Sequence, residues 1–195
     1  MTALPSSAPL AHRLWQAPTR TERLARSIGL VALGTLALYA SAKVQVPFYP
    51  VPATLQTLVV MLIGAFYGPR LAAATVLAYL AEGAAGLPVF VGTPERGIGL
   101  LYMTGPTGGF LIGFVAMAAT AGWLAAKGFA RTLVGALGVA LAANVVLYAF
   151  GLAWLGTLIG FDKAIAGGAV PFLLSDAVKI GLAASLMAAS GRLAR

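Results

Sequence analysis

Long apolar stretches, separated by short segments rich in glycine, proline or charge, occupy most of the chain. They do not alternate apolar and polar residues as the strands of a membrane β-barrel do. Lipid offers no hydrogen-bond partner to bare backbone groups, so such stretches cross a membrane as helices, each using about 20 residues. The pattern therefore predicts an all-α integral membrane protein, a six-transmembrane-helix bundle with spans at 27–46, 53–68, 70–85, 107–127, 131–159 and 170–190.

Composition agrees with this placement. The 195 residues are 60% hydrophobic and 9% charged, with a mean hydropathy of +0.92, whereas about a quarter of the residues in a soluble domain are charged. The chain has no cysteine, and its one histidine, His12, lies in a polar N-terminal tail at residues 1–26. Disulfides, thiolate metal sites and histidine catalysis inside the membrane are therefore excluded. We expect a cytoplasmic tail at 1–26 followed by a membrane domain at 27–195.

The distribution of basic residues predicts the orientation. With six spans, nine of the thirteen Lys and Arg residues lie on the side of both termini, three lie on the other side, and Lys179 lies within a span. Cytoplasmic loops carry such an excess, so the N- and C-termini are predicted to be cytoplasmic. The orientation of the spans then accounts for the net charge of +8. We therefore expect no nucleic-acid partner. The outer loops are the longer ones, which is typical of a working face.

Few polar side chains lie within the spans, and they are predicted to converge in the outer third of the membrane. Asp176 and Lys179 share one face of the last helix, roughly 9 Å and roughly 13 Å below the outer boundary. Glu82 lies near the outer end of the third helix, and Thr54 and Gln56 begin the second. Ionisable residues within a span mark function by default.

Each of these residues also has a structural interpretation. Asp176 and Lys179 could only neutralise each other, and Glu82 could face the aqueous boundary. Gln56 could make an interhelical hydrogen bond, and Thr54 could cap a helix. Burying an ion pair without further hydrogen bonds costs more in desolvation than the attraction between the two charges returns. An ion pair retained near an outward opening therefore favours a ligand site over a purely structural role.

Missing motifs narrow the function class. No G-x-x-x-x-G-K-[ST] loop for nucleotide phosphates is present, and the spans hold one aspartate and no histidine for protease chemistry. We therefore expect no enzyme, no cofactor and no metal. What remains is a compact bundle that binds a small solute from outside.

Four short motifs narrow the class further. They are VPATLQT at 51–57, GLPVF at 86–90, GPTGGF at 105–110 and DAVK at 176–179. In this order and at these separations they resemble the BioY family, the biotin-binding substrate (S) components of energy-coupling factor (ECF) transporters, over about residues 46–190. The resemblance departs at Phe110, where a tyrosine is expected, and at 92–99, which is more charged than the family's glycine run.

The resemblance implies a multi-pass subunit of the bacterial plasma membrane that captures biotin at its outer face. Such subunits normally work with an ECF transmembrane coupling subunit and two ATP-binding subunits. An S component for a different vitamin, or a membrane protein of unrelated function, is the alternative.

Biotin suits the candidate residues. Asp176 would accept a hydrogen bond from a ureido N–H, and Lys179 would donate to the ureido oxygen. In the alternative pose the biotin carboxylate lies on Lys179. The full set of candidate substrate-binding residues is Asp176, Lys179, Gln56, Thr54, Glu82, Phe48, Tyr49, Phe90, Arg96 and Tyr102, in which the aromatic residues cover the apolar rings and Arg96 lies towards the carboxylate. Tyr148 and Trp154 fit an aromatic belt at the membrane interface.

Overall fold

The structure, a computed structural model, describes residues 19–46, 49–92 and 97–193 and is mostly helical. Most of the predicted tail, Phe48 and Arg96 lie outside the described residues. The helices are α1 (Arg20–Lys43), α2 (Gln56–Tyr67), α3 (Pro69–Ala84), α4 (Gly99–Met103), α5 (Gly108–Ala126), α6 (Leu133–Ile159), α7 (Phe161–Gly168) and α8 (Leu173–Leu193). Two 3-10 turns lie at Phe129–Arg131 and Val170–Phe172, and two short strands are β1 (Gln45–Val46) and β2 (Ala53–Thr54).

Every predicted apolar stretch contains a helix. Among the described residues, four helical segments are long and apolar enough to cross a membrane: Arg20–Lys43, Gly108–Ala126, Leu133–Ile159 and Phe161–Ser190. The helix α2 is apolar but has 12 residues, and α3 has 16, which is short against the roughly 20 residues that cross a bilayer. The protein is therefore a multi-pass helical membrane protein, and the count of six spans stays a prediction.

The first helix begins at Arg20 rather than at residue 27, inside the predicted tail. A capping box at Thr19 causes this early start. The Thr19 hydroxyl accepts from the Glu22 N–H at 3.2 Å, and the Glu22 carboxylate accepts from the Thr19 N–H at 3.2 Å. Hydropathy marks where a helix meets lipid, whereas the cap marks where the helix begins. The polar first turns of α1 therefore precede its apolar stretch.

The helix α5 lies at the centre of the bundle, where it contacts α2, α3 and α6. On one side α1 packs on α3 and α2, and on the other α8 packs on α6 and α2. Glycines allow the backbones of α2 and α5 to approach closely. A Cβ atom added at Gly64 would lie 2.7 Å from the carbonyl oxygen of Ala118, and one added at Gly122 would lie 2.8 Å from the carbonyl oxygen of Gly64.

The two ends of this bundle are named by the residues that they hold. We call the end that holds Lys43, Gln56 and Leu173 the upper end, and the end that holds Arg26 and Arg70 the lower end. At the upper end β1 pairs antiparallel with β2, with Gln45 opposite Thr54 and Val46 opposite Ala53. The short elements α4 and α7 also belong to upper connections and were not predicted, because too few residues form them to produce a periodic pattern.

The close crossing of α2 and α5 generates a stability prediction. We expect Gly122→Ala to lower the free energy of unfolding by about 1–3 kcal/mol, because the added methyl group meets backbone atoms that cannot move aside independently. The matched control is Gly138→Ala in α6, where an added Cβ has open space and helix propensity alone favours alanine by up to about 1 kcal/mol. Thermal unfolding in one detergent, followed by circular dichroism, compares the two. Equal unfolding temperatures would contradict the prediction.

Candidate functional site

A cavity opens at the upper end of the bundle between β2, α2, α4, α5, α6 and α8. Polar and aromatic side chains dominate its wall. The polar ones are Thr54, Gln56, Thr57, Thr107, Tyr148, Asp176 and Lys179, and the aromatic ones include Phe90, Tyr102, Phe110, Phe114 and Phe172. A mostly apolar pocket with a few convergent polar groups is the usual form of a small-molecule site.

An ion pair lies in the wall of this cavity. Asp176 and Lys179, one turn apart in α8, form it with 2.5 Å between Lys179 Nζ and Asp176 Oδ1, and their side chains are 8% and 9% exposed. Lys179 also donates to the carbonyl oxygen of Thr54 at 3.2 Å, and Tyr148 donates to Asp176 Oδ2 at 2.5 Å. The pair is thus joined to β2 and α6, which supplies the additional hydrogen bonds that a buried ion pair needs.

The pair retains binding capacity after these bonds. An ammonium group has three donors, and a carboxylate accepts about four hydrogen bonds. Within the described part of the chain, Lys179 Nζ uses two donors, on Asp176 and Thr54, and Asp176 accepts from Lys179 and Tyr148. One N–H donor and free carboxylate lone pairs therefore remain next to each other on the cavity wall.

A second set of hydrogen bonds fixes Gln56. Its Nε2 donates to the Tyr79 hydroxyl at 2.9 Å, and that hydroxyl donates to the carbonyl oxygen of Val89 at 2.8 Å. The Thr54 hydroxyl lies 3.4 Å from Gln56 Oε1 and accepts from the Gln56 backbone N–H at 3.3 Å. Tyr79 is fully buried. Through these two hydrogen bonds its hydroxyl links the start of α2 to the loop that carries Phe90.

The hydroxyl of Thr57 is a buried polar group on the cavity wall. It is adjacent to Gln56 in α2, and its Oγ1 has no hydrogen-bond partner among the described residues. A buried hydroxyl without a partner costs free energy. A polar atom of a ligand in the cavity would remove that cost.

Aromatic rings form the apolar part of the wall. Phe90 stacks on Tyr102 with ring centroids 5.0 Å apart, and it meets the edge of Tyr79 at 5.5 Å. Phe90 fits because position 83 is a glycine, where an added Cβ would lie 2.1 Å from the Phe90 ring. Lys43 Nζ holds the same loop by donating to the carbonyl oxygens of Pro88 at 3.0 Å and Phe90 at 3.2 Å.

The opposite wall depends on the GPTGGF motif. Trp154 of α6 donates its indole N–H to the carbonyl oxygen of Gly105 at 2.9 Å. At Gly109 an added Cβ would lie 2.3 Å from Trp154 Cβ, so α5 begins close against α6. This close approach places Thr107 and Phe110 on the cavity wall. Trp154, which fitted an interfacial belt in the sequence, therefore binds a loop of the site.

Six of the predicted site residues meet at this cavity: Asp176, Lys179, Gln56, Thr54, Phe90 and Tyr102. Tyr49 does not line it, because it lies in the turn between β1 and β2 with 91% of its surface exposed. Glu82 is half-buried and does not line it either, since Tyr79 and Gly83 form the side of α3 that contacts the cavity residues. Phe48 and Arg96 lie outside the described residues.

Sequence reasoning missed several cavity residues. Thr57 and Phe110 lie within two of the motifs, so their position was a usable signal. Tyr148 fitted an aromatic belt, yet its hydroxyl binds Asp176. The signal there was weaker: a tyrosine within an apolar helix needs a partner for its hydroxyl, and the sequence offers no way to identify that partner.

The arrangement suits the binding of a small polar molecule. It offers a neutral ion pair with one free donor and free acceptor positions, a hydroxyl, an amide and stacked aromatic rings. Within the ranges that the structure describes, no group of three or more His, Cys, Asp or Glu side chains could hold a metal ion.

Proteins of known type resemble this chain. The probable biotin transporter BioY of Pyrococcus horikoshii is 36% identical over 159 residues, which cover 82% of this chain and 92% of that protein. The biotin transporter BioY of Rhizobium etli is 38% identical over 166 residues, 80% of this chain and 84% of that protein. The biotin transporter BioY of Thermotoga maritima is 36% identical over 151 residues, 77% of this chain and 86% of that protein.

The fold is also known from a crystal structure. The S-component for biotin from an ECF-type ABC transporter superposes with a TM-score of 0.76 at 24% identity, covering 91% of this chain and 94% of that one. The bundle described above therefore has the fold of an ECF S-component. The model of the BioY family matches residues 11–195, nearly the whole sequence, and the chain belongs to that family.

Proposed function

We propose that this protein binds biotin at the outer face of a bacterial plasma membrane and mediates its uptake as the substrate-binding component of an ECF transporter. The observation that carries the proposal is the buried Asp176–Lys179 pair, which lines the upper cavity and keeps a donor and an acceptor side by side. The biotin transporters that resemble the chain support the choice of ligand. A ureido group, with N–H donors beside a carbonyl acceptor, is complementary to such a pair.

The same geometry favours the ureido pose over its reverse. A carboxylate placed on Lys179 would also meet the negative charge of Asp176, because the two groups are in contact. The pair has no net charge, so it attracts an anion weakly, whereas it matches a neutral group that both donates and accepts. A bond to an ionised partner is also stronger than a neutral one. The ureido ring therefore belongs on the pair and the carboxylate towards the cavity mouth.

The other cavity groups complete this site. Phe90 and Tyr102 form one stacked wall and Phe110 lies on another, which suits the apolar thioether ring and the aliphatic tail of biotin. Thr57, with its unpartnered hydroxyl, adds a polar contact at the start of α2. Gln56 and Thr54 line the polar side of the cavity.

The orientation and the partners belong to the same proposal. Six spans with both termini cytoplasmic put the upper cavity on the outer side, in accord with the excess of basic residues on the other side. The sequence has no phosphate-binding G-x-x-x-x-G-K-[ST] loop, so ATP-driven uptake would draw its energy from other subunits. A transmembrane coupling subunit and two ATP-binding subunits fill that need.

Removing either member of the ion pair tests the site. We expect Asp176→Asn and Lys179→Ala each to weaken biotin binding by about 100-fold, because each removes a charged group that hydrogen-bonds the ureido ring in the proposed pose, and a hydrogen bond to a charged group contributes about 1.5–3 kcal/mol. Isothermal titration calorimetry on purified protein measures the affinities. The matched controls are Asp162→Asn and Lys163→Ala, two exposed residues of α7 outside the cavity wall, which should bind as the wild type does. Near-wild-type affinity in both cavity variants would show that the ion pair does not contact biotin.

A biotin analogue distinguishes the two poses. Biotin amide, which keeps the ureido ring but has no carboxylate charge, should bind the wild-type protein within about tenfold of biotin, or about 1.4 kcal/mol. It should also lose affinity in Asp176→Asn as biotin does. If the amide instead loses as much affinity as biotin loses in Lys179→Ala, the carboxylate lies on Lys179 and the reverse pose is correct.

Uptake measurements test the partners. Cells that express the chain alone should bind radiolabelled biotin, and cells that also express a coupling subunit and two ATP-binding subunits should accumulate it. Depleting ATP should abolish accumulation and leave binding unchanged. ATP-dependent accumulation in cells without any coupling module would contradict the assignment of partners, whereas an absence of binding in both strains would contradict the ligand.

A further inference from the structure

The side-chain amide of Gln56 has different neighbours at its two ends. Its Nε2 donates to the Tyr79 hydroxyl at 2.9 Å, and Tyr79 is fully buried and does not line the cavity. Its Oε1 lies 3.4 Å from the hydroxyl of Thr54, which does line the cavity. The amide nitrogen therefore contacts a residue off the cavity wall, and the amide oxygen contacts a residue on it.

The hydroxyl of Tyr79 fixes this orientation of the amide. A phenolic hydroxyl has one proton to donate, and Tyr79 donates it to the carbonyl oxygen of Val89 at 2.8 Å. A carbonyl oxygen can only accept, so the Tyr79 oxygen can in turn only accept from Gln56. The reversed amide would place two acceptor oxygens against each other. A backbone carbonyl thus determines, through one tyrosine, which end of the Gln56 amide faces Thr54.

The Gln56 oxygen follows the ion pair in a row of polar groups on the cavity wall. Lys179 Nζ contacts Asp176 and also donates to the carbonyl oxygen of Thr54 at 3.2 Å. The Thr54 hydroxyl in turn contacts Gln56 Oε1. The binding groups therefore follow the order carboxylate, ammonium and amide oxygen, which is acceptor, donor and acceptor. An amide oxygen has two lone pairs, so Gln56 Oε1 can accept a second hydrogen bond.

We propose that Tyr79 is a positioning residue that holds the Gln56 oxygen as the acceptor for the second ureido N–H of biotin. This inference rests on the function proposed above and on the pose in which the ureido ring lies on the ion pair. A ureido group presents donor, acceptor and donor in that order, which is the complement of the cavity wall. A site with such matched polar groups binds an analogue that lacks one of them less tightly, because a buried group is then left unpaired. Tyr79 thus contributes to specificity without touching the ligand.

The test uses two cyclic carbamate analogues of biotin. In each analogue a ring oxygen replaces one of the two ureido N–H groups, so that a donor becomes an acceptor with little change in size. The wild-type protein should bind both less tightly than biotin, by about tenfold to 100-fold for the analogue whose ring oxygen faces Gln56, because a buried acceptor loses its donor. Displacement calorimetry on the full-length protein in detergent measures each affinity relative to that of biotin.

The variant Tyr79→Phe removes the hydroxyl that fixes the amide. Gln56 can then turn its NH₂ group towards the cavity and donate to a ring oxygen. We expect the preference for biotin over one analogue to fall by about tenfold, while the preference over the other stays as in the wild type. A general loss of structure would weaken all three ligands alike and leave both ratios unchanged. The matched control is Tyr67→Phe, the same change at a half-buried tyrosine that does not line the cavity, which should alter neither ratio.

Two further variants identify the analogues and keep the test decisive if Tyr79→Phe folds poorly. Gln56→Met removes the acceptor, so it should reduce the preference over the same analogue that Tyr79→Phe affects, and Asp176→Asn should reduce the preference over the other one. Full preference over both analogues in Gln56→Met, or unchanged ratios in folded Tyr79→Phe, would overturn the proposal. A wild-type protein that binds no biotin would refute the proposed function and this inference with it, whereas biotin binding with unchanged ratios would refute the inference alone.

Discussion

The buried contact between Asp176 and Lys179 governs the upper half of the molecule. An ion pair in an apolar bundle is unfavourable unless its remaining donors and acceptors are satisfied, so other elements must bring partners to it. Tyr148 supplies one from α6, and the Thr54 carbonyl supplies one from β2. The β1–β2 pairing in turn fixes Thr54, whose hydroxyl accepts from the Gln56 N–H. One requirement for charge compensation thus brings α8, α6, β2 and α2 together around a cavity.

The fold was predictable wherever lipid imposes a simple rule on sequence. Each apolar stretch contains a helix, because a chain in hydrocarbon must satisfy its own backbone hydrogen bonds. The limits of the rule appear at α1, whose start depends on the Thr19–Glu22 capping box rather than on hydropathy. They appear again at α4 and α7, whose five and eight residues are held by the loops around them. Local hydrogen bonds and tertiary contacts place such elements, and neither leaves a periodic pattern.

The candidate site was predictable to the extent that charge is expensive in a membrane. Asp176 and Lys179 were identified because ionisable residues in a span need a reason. Gln56 and Thr54 were identified as polar residues at the start of the second span, and Phe90 was added after the resemblance. The same reasoning included Glu82, which is half-buried but lies off the cavity wall, because depth along a helix does not specify direction around it. Tyr148 was missed for the converse reason. Its side chain carries no charge, so its contact with Asp176 depends on how α6 rotates against α8, which only the packed bundle determines.

The two ends of the bundle differ in the charge that they present. At the upper end a cation and an anion of the same helix compensate each other, and the donor and acceptor positions that remain suit a small neutral polar group. At the lower end Arg23, Arg26 and Arg70 share one groove, in which Arg26 is buried. An excess of positive charge at one end is the pattern that orients a membrane protein, whereas a compensated pair at the other end leaves a cavity whose wall can bind a neutral ligand.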